Sequence, residues 1–246
     1  MEEKLLQMKS LVERLNQASD SYYNGKGELM TDYEWDALFD QLKRLEEETG
    51  EILPDSPTNR VSEDSIVGKK EEHEFAALSL AKTKQVSDLV KWAEDRPIWI
   101  SWKLDGLTLV VTYDGGKLTK IVTRGNGHIG TNITHLAPAI SGIPATISEK
   151  GHLVVRGEAV ISYADFEQFI IESEGDYANP RNLASGSLTL KDIEEVKQRH
   201  IQWIPFSLVY TERELTSWGE RMQMLKDLGM NPVERERIDH PTTENI

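Results

Sequence analysis

The sequence predicts an α+β protein in two units: a small N-terminal helical hairpin domain, then a larger unit built on mostly antiparallel sheet. Three observations predict it. Apolar residues recur at helical period through the first 45 positions, a proline-containing break follows at 54–57, and β-branched, aromatic runs begin after residue 97.

Leu5, Met8, Leu11, Leu15 and Ala18 stand three or four apart, one face of a helix over 1–19. Asn24, Gly25 and Gly27 break it. Thr31 precedes Glu34 by three positions, a capping box that opens a second helix with Trp35, Leu38, Phe39, Leu42 and Leu45 on one side and an end near Gly50. Residues 51–70 read as an extended linker, because Pro54 and Pro57 cannot continue a helix. The expected division is therefore 1–70 and 71–246. In the second unit Ser87 is expected to cap a short helix through Ala93. Strands are expected at 98–102, 107–113 and 117–123, the last two joined as a hairpin across Asp114-Gly115-Gly116. Further strands are expected at 152–161 and 201–210, and helices at 163–173 and 217–228. Residues 231–246 read as a connecting segment.

Composition limits the function. The 246 residues carry 28 Lys+Arg against 42 Asp+Glu, a net charge of −14, and the first 75 hold 19 of the acidic residues but only 9 of the basic ones. Such a chain has no general attraction for nucleic acid, so any DNA contact needs a local patch or another chain. Cysteine is absent, which excludes disulfides, thiolate metal sites and cysteine nucleophiles and fits a cytoplasmic protein. No run approaches the roughly 18 apolar residues of a membrane helix, and the N-terminus has no basic-then-apolar signal layout. Six Trp and seven Tyr argue for an ordered core.

Four clusters carry candidate chemistry. Lys103-Leu104-Asp105-Gly106 follows an apolar strand. A lysine there can act as a nucleophile, the aspartate can hold a metal or orient the amine, and glycine admits close approach; the plain alternative is an ordinary strand end. Thr123-Arg124-Gly125-Asn126-Gly127-His128-Ile129-Gly130 offers an arginine and backbone amides to a phosphate, or is a flexible loop. Arg156-Gly157-Glu158 ends an apolar strand, with a carboxylate for a metal or a ribose hydroxyl, or a surface ion pair. Asn179-Pro180-Arg181-Asn182 opens a short helix and points to an anion through Arg181.

In order and spacing these clusters resemble the NAD-dependent DNA ligases of bacteria and phages, over essentially the whole chain. Lys103-Leu104-Asp105-Gly106 is similar to nucleotidyltransferase motif I of that family. Thr123 to Gly127, Arg156-Gly157-Glu158, and Asn179 to Asn182 with Gly186-Ser187-Leu188 are similar to the motifs that follow. Pro54-Asp55-Ser56-Pro57-Thr58 and His73 with Leu78-Ser79-Leu80 also resemble family segments. The resemblance implies a helical domain binding the nicotinamide mononucleotide (NMN) half of NAD, then a nucleotidyltransferase (ATP-grasp-like ligase) domain. It implies that Lys103 attacks the adenylyl phosphorus of NAD, expels NMN and forms a lysine–AMP phosphoramidate, from which AMP passes to a DNA 5′-phosphate for nick sealing. It implies Asp105 and Glu158 near catalytic Mg²⁺ and the ribose, and Arg124 and Arg181 on the nucleotide. Ser79, Leu80 and Ser101 fall at the adenosine pocket, and Tyr22, Tyr23, Asp32, Trp35 and Asp36 on the NMN site, with aromatic faces and carboxylates for the cationic ring.

The chain also departs from the family. Ser101 stands where a glutamate usually reads adenine, Asn126, Thr131 and Asn132 where acidic residues are expected, and Thr189 where an arginine is expected. Tyr23 and Trp35 stand for a histidine and a tyrosine. The chain ends at Ile246 without the last nucleotidyltransferase motifs or the DNA-clamping domains. A split ligase is therefore expected, in which a second subunit supplies those parts, as in two-subunit phage ligases, with weak contact to nicked duplex DNA by this chain alone. The alternatives are a piece of a longer ligase and a non-catalytic NAD- or adenylate-binding module. An ATP- or GTP-using nucleotidyltransferase ranks last, since it would lack the hairpin.

Overall fold

The computed structural model describes residues 2–23, 29–58, 68–78, 81–173 and 177–246. In chain order the elements are α1 (Glu2–Tyr23), α2 (Asp32–Thr49), β1 (Lys70–Glu72), α3 (Val86–Ala93), β2 (Ile98–Ser101), β3 (Leu107–Asp114), β4 (Lys117–Thr123), β5 (Ile129–Thr131), β6 (Leu153–Val160), α4 (Tyr163–Ser173), α5 (Pro180–Ser187), α6 (Ile193–Lys197), β7 (Gln202–Thr211), α7 (Trp218–Asp227) and β8 (Arg235–Ile238).

The hairpin forms because its apolar stripes have only each other. Met8, Leu11, Val12 and Leu15 of α1 pack on Leu42 and Leu45 of α2, with Trp35, Leu38 and Phe39 at the margin. Thr31 caps α2 reciprocally with Glu34, and Gly50 ends it in the left-handed region at φ 70°. Residues 24–28, the predicted break, lie outside the described residues.

The second unit is organised by the four-stranded antiparallel sheet β4-β3-β6-β7. Residues alternate across it, so each strand serves two faces. One face carries Leu109, Val111, Tyr113, Leu153, Val155 and Ala159 into the main core, together with Trp203 and Leu136. The other face presents Thr108 opposite Glu158, Val110 opposite Arg156 and Thr112 opposite Val154. A strap formed by residues 73–78 crosses this second face. Ala77 packs on Val110 and Val154, and the strap's amides donate from His73 to His128 O (2.7 Å) and from Ala77 to Gly127 O (2.7 Å).

Two expectations are corrected, and one feature was not foreseen. Ser87 lies inside α3, whose N-cap is Gln85 with no side-chain cap bond. Residues 231–246 are not merely a connector, since β8 within them pairs antiparallel with β2 along Ile98–Ser101. The short sheet β1-β5 was not expected either. No helix among the described residues is long and apolar enough to cross a membrane.

The strap is clasped at one end by His152. Its ring nitrogens meet Asp114 Oδ1 at 2.6 Å and Glu74 Oε2 at 2.9 Å, while its ring tilts over Tyr210, which stacks on Phe75. The hydrogen bond to Asp114, then that to Glu74, raises the His152 pKa; the same bond with His152 is the main influence lowering that of Asp114. A raised histidine pKa gives stability that is complete below the unfolded value and is lost as pH rises through the folded one; the depressed Asp114 loses its share only as pH falls through its own folded pKa. The melting temperature of the natural chain should therefore exceed that of His152→Gln most near about pH 5.5 and converge with it near about pH 8.5. A gap independent of pH would refute the clasp.

Candidate active site

Lys103 lies in the loop between β2 and β3, and that loop is pinned on both sides. Trp102 Nε1 donates to Glu234 Oε2 (3.0 Å), beside the β2-β8 pairing, and the Gly106 amide donates to Glu158 Oε1 (3.1 Å). Gly106 is required by space, since a Cβ there would overlap the Ala159 carbonyl oxygen on β6. Gly106→Ala should lower stability by roughly 1–3 kcal/mol and displace the lysine loop. Thermal unfolding with adduct yield checks it, and an unchanged yield would contradict the role given to the loop's position.

Glu158 is buried on β6, and its second oxygen accepts from the Thr108 hydroxyl at 2.8 Å. Burial is the largest influence on its pKa and raises it, opposed by the Thr108 bond, Arg181, the Gly106 amide and Arg124. The plain alternative for this segment, an ion pair between Arg156 and Glu158, does not form. Arg156, two residues away on the same face, donates instead to the strap carbonyls of Phe75 (3.2 Å) and Ala76 (2.7 Å).

Arg181 enters from α5, which Asn179 caps through the Asn182 amide (2.9 Å). Its Nη1 pairs with Asp105 Oδ1 at 2.6 Å. Arg124 follows β4, its amide tied to Thr108 O (2.9 Å). The glycine-rich run after it is an ordered turn rather than a flexible cradle. Gly125 sits at φ 54°, Asn126 Oδ1 accepts from the amides of His128 (3.0 Å) and Ile129 (2.8 Å), and the Gly127 amide returns to Arg124 O (3.0 Å). Those amides are spent internally, so the phosphate contact this segment can offer is the Arg124 guanidinium.

Asp105, Glu158, Arg124 and Arg181, with the loop that carries Lys103, thus lie toward one end of strands β4, β3 and β6, and Ser101 lies at the end of β2 opposite Arg235. Lys103 has no hydrogen bond or ion pair among the described residues. Two clefts of about 480 and 350 Å³ lie along α1 and under the strap; Lys103 lines neither and is exposed.

The donor set suits Mg²⁺ in part. No group of three or more acidic or histidine side chains among the described residues forms a metal cage. Mg²⁺ commonly takes one or two carboxylates plus phosphate oxygens and water. Asp105 fits that mode: its side chain is 62% exposed, and Oδ2 has no partner among the described residues. Glu158 has both oxygens in hydrogen bonds and fits better as a fixed acceptor.

On the hairpin, Trp35 and Phe39 stack at 4.8 Å, and the Trp35 indole is held by Leu15 O (3.3 Å) and Ser19 Oγ (3.1 Å) of α1. Asp36 pairs with Lys82 and Lys84 of the second unit, which lowers its pKa chiefly through the Lys82 bond. α1 also approaches α5, the helix that carries Arg181. Ser79 and Leu80 lie outside the described residues, as do the side chains of Tyr22, Tyr23 and Asp32. Sequence reasoning missed Thr108, Phe39, Glu234, Lys82 and Lys84. Of these only Phe39, four residues after Trp35 on one helix face, left a local signal.

Fold and site together define a nucleotidyltransferase-type domain behind a helical hairpin. A family model described as the NAD-dependent DNA ligase adenylation domain matches residues 69–245, and one described as the DNA ligase-like N-terminal NAD+-binding domain matches 1–62. The chain belongs to the NAD-dependent DNA ligase family. It is 40% identical over 252 residues to the DNA ligases of Lachnoclostridium phytofermentans and of Ruminiclostridium cellulolyticum, each covering 100% of this chain and 38% of the relative. The DNA ligase of Brachyspira hyodysenteriae is 35% identical over 246 residues, covering 93% of this chain and 37% of its own length. The chain spans about 38% of the length of these curated relatives.

Proposed function

We propose that this chain performs the adenylylation half of NAD-dependent DNA ligation. The observation that supports the reading is the pinned loop that carries Lys103, in which Gly106 is bonded to Glu158 and Asp105 is paired with Arg181. The Lys103 amine forms the N–P bond to the adenylyl phosphorus as the P–O bond to NMN breaks, its proton passing to solvent, leaving lysine–AMP. Such transfer depends mostly on alignment and charge neutralisation. Arg124 and Arg181 neutralise the phosphates, and Glu158 holds the loop and accepts from a ribose hydroxyl. Asp105 would hold Mg²⁺, which supplies further neutralisation of phosphate charge. Ser101, Ser79 and Leu80 border the adenosine, while Trp35 and Asp36, with Tyr22, Tyr23 and Asp32, receive the nicotinamide ring and its ribose.

The domain division 1–70 and 71–246 and a cytoplasmic location belong to the same reading. AMP would then pass to the 5′-phosphate of nicked duplex DNA. With a net charge of −14 this chain would need basic surface from elsewhere for that step, from a second ligase subunit or from further length such as its relatives have. Incubation with NAD and Mg²⁺, with intact mass as readout, should add one AMP per chain, and ATP should add none. No adduct while NAD still binds would replace the enzyme by a binding module derived from a ligase.

A further inference from the structure

The cation site on α2 already contains a cation. Lys82 Nζ lies 2.8 Å from Asp36 Oδ1, 5.9 Å from the Trp35 ring centroid and 5.5 Å from that of Phe39. Lys84 takes the other Asp36 oxygen at 3.0 Å. Two stacked rings and one carboxylate around an ammonium are what a cationic aromatic ring would also require. The cage is stiff, because the Trp35 indole is fixed by two hydrogen bonds to α1. The occupant is not: Lys82 is 60% exposed, and an ion pair that open is weak and readily exchanged.

We propose that Lys82 is an internal competitor for the cationic nicotinamide ring, a residue that sets affinity for the NMN half by holding its place until the ligand displaces it. This rests on the reading that the Trp35–Asp36 face of the hairpin receives that ring. Lys82 follows the strap and precedes α3, so displacing it also releases a tie between the hairpin and the second unit. The competition depends on charge. A neutral ring of the same shape gains nothing from Asp36 and has little reason to evict the ammonium.

The test compares NMN with its reduced, uncharged-ring form by calorimetry on the whole chain, for the natural protein and for Lys82→Met, which keeps the apolar stem without the charge. The preference for NMN over reduced NMN should rise about fivefold in Lys82→Met, with NMN itself binding more tightly. Equal gains for both ligands, or weaker NMN binding in the variant, would overturn the competitor and make Lys82 a general or phosphate contact, while leaving the ring site standing. Failure of both proteins to bind NMN would overturn both the competitor and the ring site. Asp36→Asn serves as control: it should erase the preference in both backgrounds.

Discussion

Lys103→Ala should form no AMP adduct from NAD, a loss on the order of 10⁴ or more in adenylylation, with almost no change in stability. The two halves of that expectation have separate origins. The lysine is exposed and makes no bond among the described residues, so its removal should shift stability by no more than about 0.5 kcal/mol. The cations set beside it, arginines 124 and 181, are no substitute, because a guanidinium is a far poorer nucleophile than an amine. Lys103→Arg should fail for the same reason while keeping the charge. Residual adduct in either variant would move the nucleophile elsewhere.

Glu158→Gln should cost about ten- to a hundredfold in adenylylation while leaving the fold as stable or more so above about pH 5. Glutamine can still accept from the Gly106 amide and meet the Thr108 hydroxyl, so the loop stays in place. What disappears is a buried negative charge facing Arg124 and Arg181. The sign of the stability effect follows from burial. Because the folded pKa of Glu158 lies above its ordinary value of 4.5, its stabilising contribution is complete below that value and is lost as pH rises through the folded pKa. Glutamine does not titrate, so the variant should gain on the natural chain as pH rises from about 4 toward 7. Glu158→Ala differs, leaving the Gly106 amide and Thr108 hydroxyl without their partner at roughly 1–3 kcal/mol. Equal activity in Glu158→Gln would remove the charge from the mechanism and leave Glu158 a structural acceptor.

What could be read from sequence alone divides by chain separation. The Thr31–Glu34 cap and the Asp114-Gly115-Gly116 hairpin are local chemistry, written within a few residues, and both form as expected. The strands β3 and β6 show themselves by β-branched runs. β8 does not: Arg-Glu-Arg-Ile is charged, and it is a strand only because β2, over 130 residues earlier, supplies its partner. The site follows the same division. Lys103, Asp105 and Glu158 were singled out by motif order. The bonds that make them a site join residues about 50 to 130 positions apart: Glu158 to Gly106, Arg181 to Asp105, and Glu234 to Trp102. The partner Arg156 takes was not legible, because sequence adjacency hides which way a strand residue's long side chain runs, here along the sheet face to the strap carbonyls. Ser87 was misread as a cap because Ser is a good cap by type, whereas the cap position falls two residues earlier, on Gln85.

The central claim is that one lysine in a pinned loop takes AMP from NAD. Peptide-level mass spectrometry after incubation with NAD and Mg²⁺ tests it most directly, by locating the adduct along the chain and checking that it is lost in acid, as a P–N bond should be. AMP on Lys103 alone, removed as NAD when NMN is added back, is the result this account predicts. AMP on any other residue, or an adduct indifferent to added NMN, would contradict it.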